Sequence, residues 1–302
     1  MAQGYGGRGR PGGRNALYAA LAAAVVALAV LLWSATGGSS APGEGPGSAA
    51  PDEAAAPDSG GAPTGREALV DNPLYGTGRL APLPCPAPDP DVDDPASMER
   101  FLNTIADCLD QAWSTQFAKA GLAFDPPSRV FWTEPGTSPC RDYPSEAGAF
   151  YCRTSQSIYI GTEDVVRKWR GEANGAVYAS LLAHEYGHHV QGEAGVLEYY
   201  HERRGQEQDR IAQNAWTRRS ELQANCLAGV FLGAVAVSYP LEEEDVRAVL
   251  DDSEATADRP DGPADDRTHG SAENSRQWVR RGLDGQSPGS CNTWTADNAL
   301  VA

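Results

Sequence analysis

Three residues within the stretch LLAHEYGHHVQGE, residues 181–193, have the types and the spacing for metal chemistry. His184, Glu185 and His188 form the pattern H-E-x-x-H. On a helix, residues four apart share a face, so both imidazoles can reach one ion while Glu185 stays beside it without binding. The chain has only 5 His among 302 residues. The pattern therefore predicts a helix that holds a metal ion for hydrolysis.

A catalytic zinc ion needs a third protein ligand, because such sites use three side chains and keep the fourth position for water. A third His in the pattern H-E-x-x-H-x-x-G-x-x-H is excluded, since Gln191 replaces the Gly and Ala194 replaces the His. The remaining candidate is a Glu on a later helix. The stretch SELQANCLAG supplies Glu221, with Asn225 one helical turn further on the same face.

Three segments occur in an order that points to one family. These are AHEYGHHVQ, ELQANCLAG and THGSAENSRQW, and together they resemble the bacterial neutral zinc metallopeptidases, a gluzincin-like family. The similarity covers roughly residues 85–294. The resemblance implies one catalytic zinc ion held by His184, His188 and Glu221, with Glu185 as the general base that activates water against a peptide bond.

The sequence departs from the family pattern at two places. Asn225 stands where relatives usually have Asp, so the resemblance implies an acceptor for a ligand His that carries no negative charge. The family also has a Gln-Arg pair shortly after the C-terminal His-Gly. Here Asn274 and Ser275 stand in that region and Arg276 is displaced by one position. We expect Asn225 to alter zinc affinity rather than abolish activity, and we expect the structural contact of the family's Arg to be absent or shifted here.

His269, in DDRTHGSAEN, is the expected donor to the oxyanion of the tetrahedral intermediate. Later His residues have that role in gluzincins, so this role too is implied by the resemblance. Asp265 or Asp266 lies close enough in sequence to orient the imidazole. His189, by contrast, points about 100° away from His188 on a helix and is expected to be a neighbouring polar residue.

The hydrophobic pattern predicts an α+β fold that is mainly helical. One amphipathic helix begins near Ser97, and the short runs RVFWTE, AFYCR and SIYIG read as a small sheet. Gluzincin-like architecture implies that SIYIG is the edge strand along which an extended substrate pairs. Further helices are predicted at about 173–194, 207–236, 241–252 and 271–281.

The N-terminal part differs in composition from the rest of the chain. We expect a basic cytoplasmic tail at 1–15, a membrane segment at 16–33, a disordered linker at 34–79 and the metallopeptidase domain at 80–302. Three Arg precede the apolar segment and no Lys or Arg follows it until Arg66, which places the domain outside the cytoplasm. The segment is read as a retained anchor, with a cleaved signal peptide, and hence secretion, as the alternative.

The cysteine count supports export. The chain has 6 Cys, an even number expected to form disulfides outside the cytoplasm. Six Cys allow fifteen pairings, and proximity in the sequence favours Cys85 with Cys108, Cys140 with Cys152, and Cys226 with Cys291. None shows the C-x-x-C spacing of a zinc or redox site.

The net charge of −17 argues against nucleic acid as a partner. The sequence therefore favours a membrane-tethered, extracytoplasmic zinc peptidase acting on peptides or proteins. Two alternatives stay open: a non-catalytic cell-surface binding protein stabilised by zinc, and a zinc hydrolase of cell-wall amides. Glu185 favours an enzyme, because structural zinc sites use four protein ligands and need no base.

Overall fold

A computed structural model describes residues 60–144 and 148–302, which form a mainly helical α+β domain with a small sheet. The predicted cytoplasmic tail, membrane segment and first part of the linker lie outside these residues. The described part contains no helix with both the length and the apolarity to cross a membrane. Its α-helices are α1 Glu67–Val70, α2 Pro95–Ala120, α3 Thr162–Lys168, α4 Gly175–Glu193, α5 Val196–Gln206, α6 Arg210–Val235, α7 Glu243–Ala255 and α8 Ala272–Gly285.

The four predicted helices of the C-terminal half correspond to α4, α6, α7 and α8, with boundaries within four residues of those expected. Side-chain caps explain where several begin. Asn174 accepts from the backbone N–H of Ala176 at the start of α4, and Asp209 accepts from Ala212 at the start of α6. The helices α3 and α5 were not predicted, because both are short and weakly amphipathic.

The sheet contains the three predicted strands in an order that changes the expectation for substrate pairing. The strands are β1 Ser128–Trp132, β4 Ala149–Cys152 and β5 Ser157–Gly161, and a separate hairpin pairs β2 Gly136–Thr137 with β3 Asp142–Tyr143. The three-stranded order is β1-β5-β4, with β5 parallel to β1 and antiparallel to β4.

The strand SIYIG is therefore the central strand β5, not an edge. Its backbone groups already pair with neighbours on both sides, and all five of its residues are buried. A paired strand has no free N–H and C=O groups to offer an extended peptide. The expectation that SIYIG pairs with substrate is wrong. The edge strand next to α4 is β4, and Ala149 at its start lines the cleft described below.

Residues 60–79, which composition assigned to the linker, are part of the folded domain. They contain α1 and a 3-10 helix at Pro73–Gly76. Leu69 and Leu74 are buried in the main core, and the Asn72 amide donates to the carbonyl of Ala194 across 122 residues of sequence. The large aliphatic residues of this segment are few, but Leu69, Val70 and Leu74 all pack against the core.

Three disulfides join the pairs predicted from proximity, Cys85–Cys108, Cys140–Cys152 and Cys226–Cys291. The first ties the segment before α2 to the middle of that helix. The second ties the β2–β3 hairpin to β4. The third joins α6 to the chain after α8, 65 residues later in sequence. The described residues contain no free cysteine.

The core positions the site through close helix crossings. Glycines allow α6 to approach both α4 and α8. A Cβ on Gly187 would lie 3.1 Å from the backbone of Ala224, and a Cβ on Gly282 would lie 2.0 Å from the carbonyl oxygen of Cys226. A Cβ at Gly282 is sterically excluded, and a Cβ at Gly187 would require the neighbouring backbone to shift by a few tenths of an ångström. These close approaches bring the motif on α4 directly against the motif on α6.

Candidate metal centre

Two helices bring the three predicted ligands together. His184 and His188 lie one turn apart on α4, and Glu221 faces them from α6. Each His Nε2 is 3.3 Å from the same oxygen, Oε2 of Glu221. One ligand atom from each of the three residues lies within 4.8 Å of the other two.

This donor set suits zinc. Two imidazole nitrogens and one carboxylate oxygen are ligands that zinc prefers, and three protein ligands leave a position open for water or substrate. All three side chains are partly buried, with 15–18% of each exposed, so the site is accessible from one side. Among the described residues, no other group of His, Cys, Asp and Glu has metal-binding geometry.

The charges around Glu221 favour a cation at this point. Burial lowers the pKa of His188, but the Glu221 carboxylate outweighs it and raises that pKa to about 9. Burial raises the pKa of Glu221 in turn, and His188 together with His184 outweighs it and holds that pKa well below its usual range. In the metal-free protein a proton on His188 therefore takes the place that a metal cation would fill.

Each of the two predicted ligand histidines is oriented by an amide side chain. The His184 Nδ1 lies 2.8 Å from Oδ1 of Asn225, and the His188 Nδ1 lies 2.9 Å from Oε1 of Gln191. With Nδ1 donating its proton, the lone pair of Nε2 is directed at the metal position. Asn225 lies where the sequence places it. Gln191 was missed, although a residue three positions after His188 faces the same side of the helix.

Glu185 lies beside the ligands without joining them. It is 8% exposed and lines a cleft of about 460 Å³ that also contains His184 and His269. The other residues of the cleft come mainly from α4, α7 and α8, with single residues from α3 and α6. They include Lys168, Trp169, Asn225, Asp252 and Ser275, together with Ala149 from β4.

Two charged residues of the cleft were not identified from the sequence. The indole N–H of Trp169 donates to Oδ1 of Asp252, and burial raises the pKa of that carboxyl. The Lys168 ammonium lies 4.8 Å from the centre of the Trp169 ring, and burial lowers its pKa. These residues belong to no sequence motif. They come together only when the end of α3 packs near α7.

His269 reaches the mouth of the cleft. Its Nε2 is 4.0 Å from Oε2 of Glu221, and 51% of its side chain is exposed. Asp258 holds the turn that carries it, since its carboxylate accepts from the backbone N–H groups of Thr268, His269 and Gly270 at 2.7–3.0 Å. The hydroxyl of Thr268 lies 2.9 Å from His269 Nδ1.

Asp258, rather than Asp265 or Asp266, is thus the acid next to His269. Asp265 and Asp266 lie on a 3-10 helix at Ala264–Asp266, where the Asp265 carbonyl accepts from Asn214. Within the described residues, no hydrogen bond or ion pair joins either carboxylate to His269. The backbone N–H of Asp258 donates to the Gly270 carbonyl, which closes the loop between these two residues. Asp265 and Asp266 lie within this loop and are not bonded to His269, although they are nearer to it in sequence.

The residues after His269 serve the helix packing. Arg276 forms ion pairs with Asp251 and Glu254 on α7, at 2.8 and 3.1 Å. Asn274 donates to carbonyls near the C-terminus, and the hydroxyl of Ser275 accepts from the Asn225 amide at 3.0 Å. The displaced arginine therefore joins α8 to α7.

His189 faces away from the metal position, as expected. It is 1% exposed, with Nε2 2.8 Å from the carbonyl of Asp125 and Nδ1 3.2 Å from the hydroxyl of Tyr151. Burial lowers its pKa to about 4. His189 is therefore neutral in the folded protein at neutral pH.

A helix that carries His184, Glu185 and His188, crossed by a later helix that carries Glu221, is the arrangement of a gluzincin-type metal site. The chain belongs to the family described as "Putative neutral zinc metallopeptidase", whose model matches residues 88–294.

Two relatives are themselves named as uncharacterized proteins. YpfJ of Escherichia coli K12 is 28% identical over 214 residues, which cover 68% of this chain and 73% of the relative. Mb2605 of Mycobacterium bovis is 32% identical over 191 residues, which cover 57% of this chain and 63% of the relative. No solved structure shows a significant match.

Proposed function

We propose that this chain is an exported zinc-dependent peptidase that hydrolyses peptide bonds in peptide or protein substrates. The observation that carries the proposal is the convergence of His184, His188 and Glu221 on one point, with Glu185 in the adjoining cleft. The family description supports the same reaction class.

His184, His188 and Glu221 would hold the zinc ion, which would supply a Lewis acid that lowers the pKa of water towards about 7 and polarises a carbonyl oxygen. Glu185 is the general base in this proposal. Its carboxylate takes a proton from the attacking water and returns it to the nitrogen of the departing amine. Glu185 is mostly buried in the cleft wall, so few other water molecules surround its carboxylate. The proton that it takes from the attacking water is therefore passed to the amine and not exchanged with bulk solvent.

His269 is proposed to donate a hydrogen bond to the oxyanion that forms on the scissile carbonyl. Its position at the open side of the site, near Glu221, supports this role. Asp258 acts through the backbone, since it holds the three N–H groups around His269 in place. Thr268 faces Nδ1 of the imidazole and leaves Nε2 towards the cleft.

The strand β4 is the proposed edge for an extended substrate. It is paired on one side only, and Ala149 reaches the cleft. A peptide laid along this strand gains backbone hydrogen bonds that do not depend on its side chains. This strand takes the role that the sequence assigned to SIYIG.

Export is proposed from the N-terminal pattern together with the disulfides. The apolar segment at 16–33 and the arginines before it predict a retained anchor with the domain outside the cytoplasm, or a secreted domain if the segment is cleaved. Three disulfides within the domain are typical of an oxidising compartment.

The test measures zinc content and peptide cleavage on the purified full-length chain. We expect about one zinc ion per chain, lost in His184→Ala and in Glu221→Ala. Glu185→Gln should retain zinc while kcat/KM on a peptide library falls about 10²- to 10⁴-fold. Glu193→Gln is the matched control, because Glu193 lies on the same helix and bonds Gln156 outside the site.

Each alternative has its own outcome. A wild-type protein that holds zinc but cleaves no peptide or protein would indicate the binding protein. Release of amide-linked fragments from purified peptidoglycan, with no cleavage of casein, would indicate the cell-wall hydrolase. Stoichiometric zinc in Glu221→Ala would show that the third ligand is another residue.

A further inference from the structure

A buried network of amide side chains lies behind His188, on the side away from the metal position. Oε1 of Gln191 accepts from Nδ1 of His188 at 2.9 Å and from the hydroxyl of Ser220 at 3.2 Å. The amide nitrogen of Gln191 donates to the Ser220 carbonyl at 2.9 Å and to Oε1 of Gln223 at 3.0 Å. Gln191 thus uses both acceptor and both donor positions of its amide.

Gln223 continues the network from α6 to two distant parts of the chain. Its Oε1 accepts from the indole N–H of Trp294 at 3.1 Å as well as from Gln191. Its amide nitrogen donates to the hydroxyl of Tyr75 at 2.8 Å and to the carbonyl of Cys291 at 3.1 Å. Gln223 also has no hydrogen-bonding position left over.

The direction of every bond in this network is fixed by groups that cannot reverse their role. The Trp294 indole only donates, and the backbone carbonyls of Cys291 and Ser220 only accept. The indole therefore requires an oxygen from Gln223, and the Cys291 carbonyl requires its NH₂ group. With that orientation set, Gln191 must present NH₂ to Gln223 and its oxygen to His188.

The orientation of the Gln191 amide determines which nitrogen of His188 carries the proton. Because Gln191 presents an acceptor, Nδ1 of His188 carries a proton, and the lone pair of Nε2 in the neutral ring is directed at the metal position beside Glu221. Reversing the ring tautomer would place the Nδ1 lone pair against Oε1 of Gln191, two acceptors without a proton between them.

The orientation of His184 is less strongly determined. Its partner Asn225 donates to the hydroxyl of Ser275, and a hydroxyl can donate or accept. Among the described residues, no group with a fixed donor or acceptor role ends that shorter chain of hydrogen bonds. The network behind His188 is also buried and neutral: Gln191, Gln223 and Ser220 are each at most 2% exposed, and burial raises the pKa of Tyr75 above its usual range.

We propose that Gln191 and Gln223 are positioning residues that fix the Nδ1–H tautomer of His188, and that the indole N–H of Trp294 sets the direction of the bonds between them together with the carbonyls of Cys291 and Ser220. The proposal rests on the zinc site described above for its effect on metal binding. Its statement about the tautomer of His188 can be tested without metal once the Glu221 carboxylate, which faces Nε2, is removed.

The first test measures the zinc dissociation constant by competition with a chelator, on the full-length chain. Gln191→Met removes the acceptor while keeping the side-chain length, and we expect about 10- to 100-fold weaker zinc binding. Trp294→Phe removes only the donor at the end of the network, and we expect a smaller loss of about threefold to tenfold. Trp216→Phe is the matched control, because its ring lies 6.1 Å from that of Trp294 and its indole bonds Glu207.

The outcomes decide the proposal. Zinc constants of Gln191→Met and Trp294→Phe within twofold of wild type, with unchanged thermal unfolding, would overturn it. A weakened Trp294→Phe beside an unchanged Trp216→Phe would support it. If Gln191→Met does not fold, Trp294→Phe carries the test alone, since it leaves the aromatic packing in place.

The second test reads the tautomer directly and separates this proposal from the zinc function. ¹⁵N NMR of histidine-labelled, metal-free Glu221→Ala at pH 10 distinguishes a protonated Nδ1 from a protonated Nε2 of His188, and this variant removes the carboxylate that faces Nε2. We expect the Nδ1–H form of His188 in Glu221→Ala and a mixture of forms when Gln191→Met is added to it. A His188 protonated at Nε2 in Glu221→Ala would refute the network even if the wild type binds zinc. An Nδ1–H signal in that variant, beside a wild type without zinc or activity, would leave the network standing and the proposed function wrong.

Discussion

Gly282 on α8 lies so close to Cys226 on α6 that a Cβ atom at Gly282 would be 2.0 Å from the Cys226 carbonyl oxygen. The contact partner is helix backbone, which cannot rotate away as a side chain can. Cys226 directly follows Asn225, so the same crossing holds the partner of His184 in place. The close packing of α6 and α8 therefore supports both the core and the site.

Gly282→Ala is expected to destabilise the fold by about 3 kcal/mol, because one methyl group forces the two helices apart. Urea denaturation followed by circular dichroism measures the change. Gly205→Ala is the matched control, since no atom lies within 4 Å of a Cβ there and α5 is helical at this position. That substitution should stabilise slightly. Equal midpoints for the two variants would show that the helices can separate without cost.

Asp258→Ala should lower kcat/KM on a peptide substrate about tenfold or more while zinc binding stays unchanged. The carboxylate holds three backbone N–H groups around His269, and a small displacement of a group that contacts the reacting atoms has large kinetic effects. Asp265→Ala is the control, because that side chain lies outside the turn. Steady-state kinetics and chelator competition give the two quantities. Equal rates for both variants would contradict the role of Asp258.

Asn225→Asp is expected to bind zinc about tenfold more tightly than wild type. A carboxylate accepts the Nδ1–H of His184 more strongly than an amide oxygen does, and this raises the basicity of the ligand nitrogen. Asn225→Leu removes the acceptor and should weaken binding about 10- to 100-fold. Chelator competition at pH 7.5 measures both. Unchanged affinity in Asn225→Leu would mean that His184 needs no partner.

His189 makes the stability of the metal-free protein depend on pH. Its folded pKa of about 4 lies below the unfolded value of about 6.5. The unfolded chain therefore takes up the proton first as the pH falls. The stability that His189 contributes is complete above about pH 6.5 and is lost progressively towards pH 4.

As the pH falls from 7.5 to 5, the contribution of His189 to the free energy of unfolding decreases by about 2 kcal/mol. His189→Gln keeps a donor for the Asp125 carbonyl but does not titrate. The free energy of unfolding of this variant should fall less over that pH range than that of wild type. Urea denaturation of both proteins in the presence of chelator gives the difference. Parallel pH profiles would show that His189 keeps an ordinary pKa in the fold.

The disulfide Cys226–Cys291 closes a loop of 65 residues, and its removal should cost about 4 kcal/mol through the entropy of the unfolded chain. Cys226→Ser with Cys291→Ser tests this by urea denaturation. Because the Cys291 carbonyl accepts from Gln223, the double variant should also bind zinc less tightly. Cys140→Ser with Cys152→Ser is the control, since that bridge lies on the sheet. Its zinc affinity should match that of wild type.

The motif residues could be predicted because their geometry is local. His184, Glu185 and His188 occupy fixed positions on one helix whatever surrounds it, and a period of 3.6 residues is visible within five positions of sequence. Glu221 was identified through a second motif of the family. Similarly, the main helices follow from periodic apolar residues and caps, which are short-range signals.

The elements without such signals were decided by tertiary packing. The sequence shows that SIYIG is a strand, but only the order β1-β5-β4 makes it central and leaves β4 at the edge. Residues 60–79 look like linker until Leu69 and Leu74 find places in the core. The composition of a segment does not show whether its few apolar residues are buried. Their burial depends on whether the rest of the chain provides a surface for them to pack against.

By itself, the sequence predicted the ligand types, the base, the disulfide pairs, the mainly helical class and Asn225 as the partner of His184. The tertiary structure alone decided two further sets of contacts: Asp258 for the His269 turn, and the path from Trp294 through Gln223 and Gln191 to His188. The physical reason is distance along the chain. A hydrogen bond between residues 71 apart in sequence leaves no periodic trace, and it forms only when helix packing brings its donor and acceptor within reach.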